Sequence, residues 1–93
     1  MLHITELRVV PSNDDQRLLE LRFNTGQAGI VDLADELWGP VFEPLHHRGL
    51  FSEAVLNPLF HTVTWPNGAD FAPEYLLDLL QRQSKDTRHE NRL

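Results

Sequence analysis

The chain has 93 residues and carries 14 acidic against 8 basic side chains, a formal charge of −6. That length suits one small domain rather than two, and 41% hydrophobic residues is too many for a disordered segment. No cysteine is present, which excludes disulfide frameworks, thiolate zinc sites and cysteine nucleophiles together. Residues 3–10 read as a first strand, rich in β-branched side chains and ended by Pro11-Ser12-Asn13-Asp14-Asp15, where proline fixes φ and the Asn and Asp side chains bond the local backbone. Residues 17–23 alternate, with Leu19, Leu21 and Phe23 on one face and Leu18, Glu20 and Arg22 on the other. Asn24-Thr25-Gly26 makes a tight turn into a third strand at residues 27–32, weakened in the middle by Gly29. Three strands on short turns predict an antiparallel meander.

The middle is less regular. Residues 32–38 fit a short helical turn stopped by Gly39-Pro40. Residues 41–51 contain Pro44 and Gly49 and read as turns and short helical pieces, with Phe42, Leu45, Leu50 and Phe51 as core anchors. Residues 53–56 and 60–65 read as two strands around Asn57-Pro58, a second hairpin. Pro66-Asn67-Gly68 is a sharp turn. Residues 73–83 form the one convincing helix. Pro73 sits at its first position, Glu74 near the positive dipole end, and Leu76, Leu79, Leu80 and Gln83 follow helical spacing, although Ala72 is a poor N-cap. The predicted fold is α+β: a small antiparallel sheet built from a three-strand meander plus a hairpin, with one C-terminal helix packed on it. Residues 1–83 make the single domain, and 84–93 are expected to be a polar, disordered tail.

Two stretches together resemble a small bacterial family catalogued as a domain of unknown function, number twenty-four forty-two. One is Gly39-Pro40-Val41-Phe42-Glu43-Pro44-Leu45 leading to Phe51; the other is Thr62 through Glu74 followed by Leu76. The stretch from Phe23 to Leu33, with its glycine turn and Val31-Asp32-Leu33, matches the same layout, so the resemblance covers about residues 3–80. It implies a compact α+β domain with no assigned activity. It also implies a partner of small toxin-like proteins encoded beside it, hence an antitoxin-like or adaptor role. Some longer relatives carry a DNA-binding helix-turn-helix after this domain. Here only about ten polar residues follow the predicted helix, so that activity is not expected.

Charge and motifs bound the chemistry. Residues 1–80 hold 12 acidic groups against Arg8, Arg17, Arg22 and Arg48, a body of −8, while residues 81–93 carry +2. Such a body does not attract a phosphate backbone, which is bound through lysine and arginine, and suits a basic protein partner. No apolar run approaches the ~20 residues that span a bilayer, and Met1-Leu2-His3-Ile4 lacks a signal-peptide pattern, so no membrane is expected and the cytoplasm is the expected compartment. The histidines His3, His46, His47, His61 and His89 show no metal-ligand spacing, and no metal or cofactor is expected. Ser12, Ser52 and Ser84 lie in no nucleophile elbow. The carboxylate pairs Asp14-Asp15 and Asp35-Glu36 fall in polar stretches that keep them ionised. No catalytic residue is named. Gly68 and the helix start at Pro73 come nearest to an anion site, but Asp70 and Glu74 already occupy it. Trp65, Asn67, Gly68 and Asp70 form a structural turn motif, with Asp70 bonding local amides.

Trp65, ending a strand, belongs in the core. Trp38, in the irregular segment, is the candidate partner anchor, with Asp35 and Glu36 as its acidic rim. The leading functional reading is a non-enzymatic module docking a small basic protein, toxin-like in character. An alternative is a small ligand-binding or enzymatic domain using His46, His47, His61 and Asp70. A third is a homodimer through a sheet edge.

Overall fold

The computed structural model describes the backbone of residues 1–91, with side chains through Ser84. Strands β1 (Ile4–Val10), β2 (Leu18–Phe23) and β3 (Ala28–Asp32) form the expected antiparallel meander in the order β1-β2-β3. The register explains its two faces. Leu21 lies opposite Leu7 and Gly29, and Leu19 lies opposite Val9 and Val31. Opposed residues share a face, so these apolar side chains line the inner one, and the register shift between Ile4 and Glu6 also brings Ile4 opposite Phe23. On the outer face Arg8 meets Glu20 at 2.9 Å and Arg22 meets Glu6 at 3.7 Å. The first turn is closed by Asn13, whose Oδ1 accepts the Asp15 N–H at 3.0 Å. The second uses Gly26 at φ 92°, a left-handed backbone that glycine adopts without steric cost.

The middle segment forms two single turns of 3-10 helix, Ala34–Glu36 and Glu43–His46, and a four-residue helix α1 (Arg48–Phe51). Strands β4 (Val55–Asn57) and β5 (Thr62–Thr64) make the second hairpin as a sheet of its own. It is joined to the meander where Ile4 N–H donates to the His61 carbonyl at 2.9 Å. The strand expected over residues 60–65 is shorter for a local reason. Asn57 Oδ1 accepts the N–H groups of Leu59 at 2.8 Å and Phe60 at 3.0 Å, and His61 takes φ 56°. An Asx turn and a left-handed residue cannot belong to an extended strand.

The turn after β5 is held by Trp65 N–H on the Ala69 carbonyl and Gly68 N–H on the Trp65 carbonyl, both at 3.0 Å. Its side-chain bonds come from Asn67 rather than from Asp70. Asn67 Oδ1 accepts from Ala69 N–H at 3.2 Å, and its Nδ2 donates to the Val41 carbonyl at 2.9 Å. Asp70 takes part through a backbone bridge to Thr64. Helix α2 spans Pro73–Asn91, past the expected end at residue 83. The expectation of disorder in the tail lies, beyond Ser84, outside the described side chains, and for residues 92 and 93 outside the described residues altogether.

The core lies between the inner sheet face and α2. Leu19, Leu21, Phe23 and Val31 meet Leu76, Leu79 and Leu80, while Leu33, Leu37, Leu45 and Phe51 of the middle segment and Val63, Trp65 and Phe71 close the sides. Of the four expected anchors, Leu45 and Phe51 are buried; Phe42 and Leu50 pack against the core half-covered. Each such leucine contributes roughly 1.5–3 kcal/mol by leaving water. Gln83 ends the described packing of the helix: its Oε1 accepts the Asp32 N–H and its Nε2 donates to the Asp32 carbonyl, both at 2.9 Å.

Two substitutions test this arrangement. Leu79→Asp buries an unpaired carboxylate at a site 2% exposed, a penalty of several kcal/mol, comparable to a small domain's whole stability; circular dichroism should show an unfolded chain at room temperature. Gln83→Ala removes two bonds to β3 and should cost about 1–3 kcal/mol, read as a lowered thermal midpoint with the native spectrum retained.

Candidate protein-docking site

Trp38 is 74% exposed. Its two neighbours are fixed. Leu37 is buried in the core, and His46 Nε2 donates to its carbonyl at 2.6 Å. Gly39 follows at φ 91°, and its carbonyl accepts from Phe42 N–H at 3.1 Å and Glu43 N–H at 2.9 Å. The indole therefore stands in water on a stem bonded on both sides. An aromatic of this size left in solvent forgoes on the order of 3 kcal/mol of burial energy, which a partner can recover.

The carboxylates beside it differ in their surroundings. Asp35 is exposed. Glu36 accepts a hydrogen bond from the Tyr75 hydroxyl on α2. That bond, with partial burial and the Glu36 charge, raises the phenol above its ordinary value. Arg82 lies near both groups and is itself held by Asp78 at 2.8 Å. Glu36 thus ties the loop to the helix, while Asp35, three residues before Trp38 in sequence, is exposed. Tyr75 is stacked on Phe71 at 5.5 Å, and Phe71 stacks on Phe42 at 4.7 Å, so an aromatic column links α2 to the middle segment at Phe42. Trp65 has the opposite fate: it is 3% exposed, meets Phe71 edge-on at 6.0 Å and donates Nε1–H to the Phe51 carbonyl at 2.9 Å.

The residues of the alternative reading lie with different neighbours. The His46 ring is committed to Leu37, whereas the His61 ring stacks on His3 at 4.0 Å. Asp70 is exposed beyond β5. Among the described residues no three His, Asp or Glu side chains come together as metal ligands. Ser12 donates to the Gln16 carbonyl and Ser52 to the Gly49 carbonyl. A groove of about 810 Å³ lies against β1 and β4, not lined by Trp38, and its charged wall is occupied by the pairs Arg8–Glu20 and Arg22–Glu6. A second groove, about 620 Å³, is lined by Arg17 and Arg48. There Arg48 holds Asp14 at 2.9 Å, and the buried Arg17 guanidinium donates to the carbonyls of Asp14, Gln16 and His46. No helix among the described residues is long and apolar enough to cross a membrane.

One exposed feature was not read from the sequence: Leu59 and Phe60, 75% and 63% exposed, at the tip of the β4–β5 hairpin. Its signal was Asn57 standing two and three residues ahead of the apolar pair, the spacing of an Asx turn.

The fold and these exposures define a small α+β domain that presents a single tryptophan on a fixed loop. Protein of unknown function (DUF2442) matches residues 9–81, and the chain belongs to that family, as the resemblance over residues 3–80 implied. No curated protein and no solved structure matches the chain.

The stacked histidines predict a pH response. Partial burial and the neighbouring His61 lower the His3 pKa, so the fold favours the neutral ring. The unfolded chain then takes up the proton first. This contribution to stability is full above about pH 6.5 and declines as the pH falls toward the lowered value. His61→Asn, which suits the left-handed backbone, should flatten the decline below about pH 6.5, measured by denaturant unfolding at each pH.

Proposed function

We propose that this chain is a non-enzymatic protein-binding module of the bacterial cytoplasm, antitoxin-like or an adaptor, that docks a small basic protein through Trp38. The observation that carries the reading is the 74% exposed indole fixed between a buried leucine and a bonded glycine, with Asp35 exposed three residues before it in sequence. Tryptophan is enriched at interface hot spots, where a rigid aromatic anchor loses little entropy on docking. The −8 of residues 1–80 supports a cationic partner, because it speeds the approach of positive charge and opposes nucleic acid.

The test is paired. Wild type and Trp38→Ala serve as baits for affinity capture with mass spectrometry, followed by binding kinetics on the captured protein. A basic protein retained by wild type and lost with Trp38→Ala, through dissociation faster by ten-fold or more, is the expected result. Asp35→Asn should slow association and reduce its dependence on salt, since screening acts on steered encounter. Trp38→Ala should melt within about 1–2 °C of wild type, because an exposed side chain contributes little to the fold. If capture instead depends on Leu59 and Phe60 and is indifferent to Trp38, the site is misplaced.

A further inference from the structure

We infer that the outer edge of β3 pairs with β3 of a second copy of this chain, antiparallel and centred on Gly29. Which backbone groups are open follows from the ladder. Phe23 N–H donates to the Gln27 carbonyl and Leu33 N–H to the Arg17 carbonyl, each at 2.8 Å, and Gly29 and Val31 lie opposite Leu21 and Leu19. The odd-numbered residues of β3 therefore turn their N–H and C=O toward β2. Those of Ala28, Ile30 and Asp32 turn outward. At Asp32 both groups are taken by the Gln83 amide at 2.9 Å. Among the described residues, no hydrogen bond reaches the outward groups of Ala28 and Ile30.

The open stretch is two residues, placed evenly about Gly29. A two-fold axis through Gly29 sets Ala28 of each chain against Ile30 of the other. It forms four hydrogen bonds and leaves no open group over. A longer foreign strand would seek a third pair at Asp32 and find Gln83 there; the self-pair needs none. Side chains agree on both faces. Ile30, 46% exposed, falls opposite Ala28 of the second copy on the outer face, and Leu80, which lies over Gly29, comes beside its counterpart across the axis on the inner face. The run Gln27-Ala28-Gly29-Ile30-Val31 has no charge and no proline, so it lacks the usual guards of an edge strand. A neutral seam also suits two chains of charge −6 each, whose mutual repulsion elsewhere is relieved by salt. Self-association should thus strengthen with ionic strength, opposite in sign to the docking of a basic protein at Trp38.

Sedimentation velocity from micromolar to millimolar chain, combined with amide hydrogen exchange at both ends of the series, tests the pairing. The expected result is a monomer–dimer equilibrium in which the Ala28 and Ile30 amides become protected as the dimer forms. Ile30→Lys, an exposed position, should weaken association at least about tenfold while its dilute thermal midpoint stays at the wild-type value. A chain monomeric at millimolar concentration overturns the inference. So does a dimer whose Ala28 and Ile30 amides exchange as fast as the monomer's, or one that Ile30→Lys leaves intact.

Discussion

Leu80 rests on Gly29 with no space for a side chain between them: a β-carbon built on Gly29 would lie 2.7 Å from Leu80 Cδ1. Real contacts of that kind are essentially never so short, so a side chain at residue 29 would force the end of the Leu80 side chain to give way. From that seat the rest of the helix follows. Leu76 and Leu79 reach the inner sheet face, Gln83 meets the backbone of Asp32, and Tyr75 meets Glu36. The glycine that weakens β3 as a strand thus gives Leu80 its place against the sheet. It also leaves the strand's outer edge open beside the helix.

The segment over residues 33–47 depends on the same geometry, because it has no ladder of its own. Its position is imposed by groups from elsewhere. Leu33, Leu37 and Leu45 are drawn into the core, the Arg17 guanidinium takes the His46 carbonyl, Asn67 takes the Val41 carbonyl, and Tyr75 holds Glu36. Arg17 is a buried cation with backbone carbonyls as its partners, and removing it would leave those carbonyls without a donor. None of these restraints draws Trp38 inward. Its exposure comes from the fixed positions of its neighbours and not from looseness of the loop.

The outer sheet face and the two apolar projections divide the surface. Across the meander, Arg8–Glu20 and Arg22–Glu6 use the cationic groups of β1 and β2 within the protein, at exposed sites where such pairs add little stability. Arg17 and Arg48 are likewise engaged internally. The four arginines of residues 1–80 are thus all bonded, while Asp35 is exposed. The body is negative because 12 acidic groups stand against these four arginines, and the ion pairs leave that excess unchanged.

Much of the fold was legible in the residues themselves. Alternation in Leu19-Glu20-Leu21-Arg22-Phe23 and the spacing of Leu76, Leu79 and Leu80 report which face of a strand or helix leaves water, and turn residues such as Gly26 and Asn67-Gly68 carry their own φ preference. Both signals are local, so the meander, the second hairpin and the helix start at Pro73 could be read directly. What local signals cannot encode is which side chain from a distant element takes a particular carbonyl. The replacement of Asp70 by Asn67 as the bonding side chain of its turn, the commitment of His46 to Leu37, and the clamp of Gln83 on Asp32, 51 residues apart in sequence, were decided only in the packed chain. The tryptophans show the same division: a strand end for Trp65 and an irregular segment for Trp38 already separated them in the sequence, and only the packed chain supplies the partners, Phe51 and Phe71, that cover Trp65.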